Sequence, residues 1–267
     1  MRNSVLPVTM LIAGAVVSAC SAADSTQPGG ALPMTVSFST AAPTGAARST
    51  STSASASVTF TSGTDVLVIT KAQLVVARME LARSGASCTS TAAAGDDNMN
   101  EHDCAELEVA PTIVSLPVDS SVVSGLSLTV PAGTYSALEA KIRAVRADSD
   151  HGAGSAAFLS AHPELAGVSV LVTGTFNGKA FTYTGAPRAE FETSFSPPVV
   201  VAATPTNLTV HVDLSSWFKT SSGALIDPAS AIGTGANVHA VAENIQRSFR
   251  AFRDQNRDGH DDDSGGN

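Results

Sequence analysis

The chain has 267 residues, enough to bury a real core, and carries a formal net charge of −9 with only 15% charged residues. An acidic chain without a run of Lys and Arg lacks the footprint that grips phosphates, which excludes nucleic acid and a membrane surface held through basic residues. Aromatic residues are 5% of the chain, with a single Trp217, so flat platforms for stacking sugars or bases are scarce.

Arg2 precedes an apolar run, Val5 to Val17, of signal-peptide length and too short to span a bilayer as a stable helix. Val17-Ser18-Ala19-Cys20 closes the run. Small residues let an extended chain enter a peptidase cleft, and the Cys20 thiol is a nucleophile for lipid attachment. The stretch resembles the bacterial lipobox. That resemblance implies a signal peptide over residues 1–19 and a covalent diacylglycerol with an acyl group such as palmitate on Cys20. Ser21 stands where the inner-membrane retention signal has Asp, so the resemblance further implies the outer membrane of the cell envelope. Residues 20–33 have no apolar periodicity and read as a disordered, lipid-anchored tether. The Ser/Thr/Ala-rich stretch 41–57 reads as a long loop.

From Met34 onward the pattern has period two, which predicts strands with one buried face. Met34, Val36 and Phe38 alternate with polar residues, as do Val58 and Phe60. After the turn Ser62-Gly63-Thr64-Asp65 comes a long apolar run from Val66 to Val76. Behind Pro131-Ala132-Gly133, Leu138, Ala140, Ile142 and Ala144 share one face, and Glu139, Lys141 and Arg143 the other. Val168, Val170, Val172 and Phe176 lead into Asn177-Gly178, then Phe181 and Tyr183; Asn-Gly between two such runs predicts a tight hairpin. Ala189 to Phe195 and Leu208 to Leu214 alternate again. A short helix is expected over Ser155–His162, and an amphipathic one over Asn237–Arg253, with Val238, Val241, Ile245, Phe249 and Phe252 on one stripe. Eight or nine strands at this spacing predict a mainly β protein, a single antiparallel β-sandwich over 34–253 with one or two short helices. An acidic tail, 254–267, follows.

A first strand after a tether, a long hydrophobic strand over Val66–Leu81 and the segment Val130-Pro131-Ala132-Gly133-Thr134-Tyr135 together resemble a class of bacterial lipoproteins of unknown role. Their domains are transthyretin-like (prealbumin-like, Ig-like) β-sandwiches in which a "PAGTY" turn introduces a strand. Leu208–Leu214 and Leu225-Ile226-Asp227-Pro228 fit the closing strands of such domains. The resemblance implies the fold and no activity. A weaker resemblance is to periplasmic copper-associated partner proteins, although no His residues stand where copper would need them.

Cys88 and Cys104 flank a polar segment. Export places them in an oxidising compartment, so a structural disulfide is expected, stabilising by roughly 3 kcal/mol on a chain-entropy view. Asp254, Asn256 and Asp258 recur at alternate positions before Gly259, with His260 and Asp261 behind. Oxygen ligands at that spacing, with a Gly for the tight bend, resemble the first half of a calcium loop, and calcium is the one cofactor the residues suggest. The Glu of a full EF-hand is absent, because its place falls on Gly265. No G-x-S-x-G, H-E-x-x-H or phosphate-cradling Gly loop is present. Asp148-Ser149-Asp150-His151 are neighbours in sequence, which seldom gives triad geometry. His211 alternates with Val210 and Val212 and is expected to face solvent; Trp217-Phe218 read as a core plug.

These residues favour a non-enzymatic binding or structural module, attached to the membrane by its lipid and meeting an envelope protein or surface ligand. A periplasmic metal-handling protein is the alternative. A hydrolase on a sandwich scaffold comes third.

Overall fold

Alternation in the first strand decides which of its sides turns inward. In β1 (Ala31–Thr40), Met34, Val36 and Phe38 are buried in the core, while Thr35, Ser37 and Ser39 occupy the other face. The computed structural model describes residues 31–40, 57–84, 110–119, 121–146, 152–202 and 205–262. Eleven strands appear among them, more than the eight or nine expected, in a four-stranded and a seven-stranded sheet.

The long apolar run becomes the organising element of the larger sheet. It is β3 (Asp65–Arg83), nineteen residues long. Successive stretches of it pair with β2 (Val58–Ser62), β7 (Val170–Phe176), β4 (Thr112–Leu116) and β6 (Gly133–Ile142). β8 (Lys179–Gly185) extends the sheet beyond β7, and β9 (Ala189–Val201) beyond β6. Asn177 and Gly178 both take positive φ at the β7–β8 turn, as the Asn-Gly signal requires. Gly174 of the same hairpin is obligatory for another reason: a Cβ there would lie 1.9 Å from the Val68 carbonyl oxygen.

The smaller sheet has the order β11 (Phe249–Arg253), β10 (Thr206–Val212), β1, β5 (Val122–Pro131). β1 runs parallel to β10, the one parallel pair among the described strands; every other pairing is antiparallel. Pro131-Ala132-Gly133 carries the chain from β5 in one sheet to β6 in the other. Tyr135 locks this corner: its ring is fully buried, its hydroxyl donates to the Pro131 carbonyl at 2.7 Å, and the Arg83 guanidinium lies 5.8 Å from the ring centre. One apolar core fills the space between the sheets. Lateral closure comes from the Ala251 N–H, which donates to the Thr193 hydroxyl of β9 at 3.2 Å.

Three short helices interrupt the strands: α1 (Gly152–Ala161), α2 (Leu214–Trp217) and α3 (Val238–Gln246). The helix expected over Asn237–Arg253 is shorter than its apolar stripe suggests. It stops at Gln246, and Phe249–Arg253 form β11. Val241 and Ile245 keep the helical stripe, but Phe249 and Ala251 are buried as a strand face. Pairing with the open edge of β10 supplies five residues with backbone partners, which outweighs a helical spacing of two Phe residues.

Candidate functional site

Polar residues on the outward face of the smaller sheet should be wet, yet several are sealed. Ser37 of β1 and Asn207 and Thr209 of β10 are each 2% exposed or less. Their cover is the loop that leaves β11. Asp254, fully buried, accepts the Thr209 hydroxyl at 2.8 Å and the Gly259 N–H at 2.9 Å on one carboxylate oxygen, and the Asp258 N–H at 3.0 Å on the other. Asn207 donates from its amide to the Asp254 carbonyl at 2.6 Å and accepts the Ser37 hydroxyl at 2.8 Å. Arg257 reaches the Thr35 hydroxyl, and at Gly259, φ +83°, a Cβ would lie 3.1 Å from a Val122 methyl. Three chain segments distant in sequence thus share one buried network.

The other residues of the proposed calcium loop point elsewhere. Asn256, Asp258 and His260 are exposed and Asp261 is half-buried. Asn256 and Asp258 bond to each other and to the backbone N–H groups just ahead of them, and the His260 N–H holds the Asp258 carboxyl below its ordinary value. Among the described residues, no group of three or more His, Cys, Asp or Glu side chains is placed to hold a metal ion. Cys20, Cys88, Cys104 and the Asp148–His151 stretch lie outside the described residues.

His211 is half-buried, less open than its alternation suggests, because Ser39 across the parallel pair meets its ring. The Ser39 hydroxyl and His211 Nδ1 share a hydrogen bond of 3.1 Å whose direction follows the tautomer. Burial pushes the imidazole below its usual value; Asp213 opposes that shift and Arg250 adds to it. A serine–histidine pair invites comparison with a hydrolase, but Ser39 is buried and the Asp213 carboxylate is taken by the Ser215 N–H at 2.9 Å. Since the folded chain binds this proton less readily than the unfolded one, stability is expected to fall as pH drops below about 6.5. Melting curves between pH 7.5 and 5.5 check this: His211→Asn should flatten the slope, and an unchanged slope would remove His211 as its source.

Trp217 and Phe218 are buried, as a core plug should be. Phe218 meets Phe181 and Tyr183 edge to face, and burial raises the Tyr183 hydroxyl to about 12.

The fold also assembles cations that the sequence scatters. Lys141 ends the wet face of β6, Arg143 and Arg146 follow it, and Arg188 precedes β9. Together they border a cleft of about 430 Å³. Three of the four fall within six residues of one another, with apolar residues between them that prevent a continuous basic run.

No family model and no curated protein matches the chain. Among solved structures, MbnP from Methylosinus trichosporium is similar, at 14% sequence identity and a TM-score of 0.41, over 84% of this chain and 99% of that one.

Proposed function

We propose that the chain is a lipid-anchored lipoprotein of the cell envelope that acts as a non-enzymatic binding or structural module. The observation that carries this reading is Val17-Ser18-Ala19-Cys20 at the end of an apolar run, ahead of the first described strand. The geometry of the domain supports it. β1 is an inner strand, paired with β5 on one side and β10 on the other, so a tether at its amino end would hold the domain through a well-anchored element. Among the described residues no helix is long and apolar enough to cross a membrane. The Ser39–His211 pair lies under cover, which suits a scaffold better than a hydrolase.

Growth of cells expressing the full chain with labelled palmitate tests the anchor. Label is expected on the wild-type protein in the outer-membrane fraction; Cys20→Ala should lose the label and leave that fraction. A Cys20→Ala protein that still labels would overturn the reading. The metal-handling alternative has no side-chain cluster among the described residues in its favour.

A further inference from the structure

The cleft between β6 and β9 has a composition at odds with the rest of the chain. In a molecule of net charge −9, its border carries, among the described residues, Lys141, Arg143, Arg146 and Arg188 with the carboxylate of Glu190. The backbone fixes this arrangement. Lys141 lies opposite Glu190, and Ile142 opposite Ala189, in the β6–β9 ladder. The chain then leaves β6 through Arg143 to Arg146 and enters β9 through Ala186 to Arg188, and Gln246 of α3 also lines the cleft.

The charges have different duties. Lys141 is held by Glu139 at 2.9 Å and by Glu190 at 3.4 Å. The Glu139 hydrogen bond raises the ammonium above its ordinary value, against the opposing effect of its burial. Arg188 is exposed and has no hydrogen-bond or ion-pair partner among the described residues. Arg188 is thus a guanidinium on the cleft border that the described wall does not itself use. Planar guanidinium groups match the paired oxygens of carboxylate and phosphate, and a concave site focuses their field. The volume falls in the range of small-molecule sites and is too small for a polymer backbone.

We propose that this cleft binds a compact polyanion, a small molecule carrying two or more phosphate or carboxylate groups. Arg188 is its principal fork, and Arg143, Arg146 and Lys141 line the rest of the site. The proposal names a ligand class for the binding role given above and rests on that role. It does not depend on the lipid, so a failed palmitate label and an empty cleft are separate results.

Calorimetric titration of the full-length protein, purified in non-ionic detergent, with pyrophosphate and with citrate tests it. One site per chain is expected for at least one of the two. Affinity should weaken about tenfold or more in Arg188→Glu, and also fall between low salt and about 0.5 M salt. Lys179→Glu, on the β7–β8 hairpin, makes the same change in net charge and should leave affinity as it was. Gln246→Glu adds a negative charge to the cleft without removing an arginine and should weaken binding too, which keeps the test open if Arg188→Glu folds poorly. Binding of pyrophosphate alone assigns a phosphate ligand, and of citrate alone a carboxylate one. No heat with either anion at millimolar concentration overturns the proposal, as does equal weakening by Arg188→Glu and Lys179→Glu.

Discussion

Asp254→Ala is expected to lower the stability of the domain by about 3 kcal/mol, a fall in melting temperature of roughly 10 °C for a domain of this size. The substitution strips the acceptor from the Gly259 N–H and the Thr209 hydroxyl, and one of two acceptors from the Asp258 N–H, all held by one fully buried carboxylate. Donors left buried without partners cost more than the mean value of a hydrogen bond, because water is not there to replace the lost acceptor. The damage spreads along the chain. Asp254 folds the loop over Ser37, Asn207 and Thr209, so its loss opens a polar strip between β1 and β10 that the loop now seals. Asp254→Asn should cost less, about 1–2 kcal/mol, because the amide keeps one acceptor oxygen but turns a donor toward other donors. Asp258→Ala, at an exposed position, should leave the melting temperature nearly unchanged. If the two alanine variants melt alike, the loop is not a clamp. The same melts repeated with millimolar calcium distinguish a clamp from a cation site: a site would raise the wild-type melting temperature and leave that of Asp258→Ala where it was.

This loop marks where the sequence stops being readable. The Asp-x-Asn-x-Asp-Gly spacing is visible to anyone reading residues 254 to 259, and it points to oxygen atoms converging on an ion. What it does not show is that Asp254 has another customer, the Thr209 hydroxyl forty-five residues earlier. Spacing reports local turns, whereas a buried polar network depends on which strands become neighbours. Elsewhere local pattern was sufficient. Met34, Val36 and Phe38 face the core because a strand alternates, and Asn177-Gly178 makes its hairpin because both residues accept positive φ. β5 was not among the expected strands, although Leu126, Leu128 and Val130 alternate in it; Gly125 and the bulge beside it break the pattern at its start. Nor was β11, since Phe249 and Phe252 are spaced as on a helix and only the free edge of β10 makes a strand the better solution. The basic cleft belongs with β11: Arg188 joins Arg143 and Arg146 through the β6–β9 ladder, a pairing with no local signature.

Trp217→Ala is expected to have the largest effect of any single substitution in the domain, about 4 kcal/mol. The indole is fully buried, and it is the largest side chain in the core. Truncation leaves a cavity that the packed sheets around it cannot close, so lost transfer energy and lost contacts add. Its position adds a polar cost. The indole N–H donates to the Ser248 hydroxyl at 2.8 Å, and that hydroxyl donates to the Ile245 carbonyl at 2.7 Å. The Asp213 N–H in turn donates to the Ser248 carbonyl at 3.0 Å. Ser248 is thus the point where α3 ends and β11 begins, held by the residue that ends α2. Trp217→Phe separates the two contributions: it keeps most of the apolar volume and loses the hydrogen bond, and should cost about 1–2 kcal/mol. Ser248→Ala removes the same bond from the other side, so a double variant with Trp217→Phe should cost less than the sum of the two singles. Denaturant unfolding followed by far-ultraviolet circular dichroism reads all four without relying on the tryptophan itself. Strict additivity in that cycle would mean that the indole fills space at the α3–β11 junction without fixing where the helix gives way to the strand.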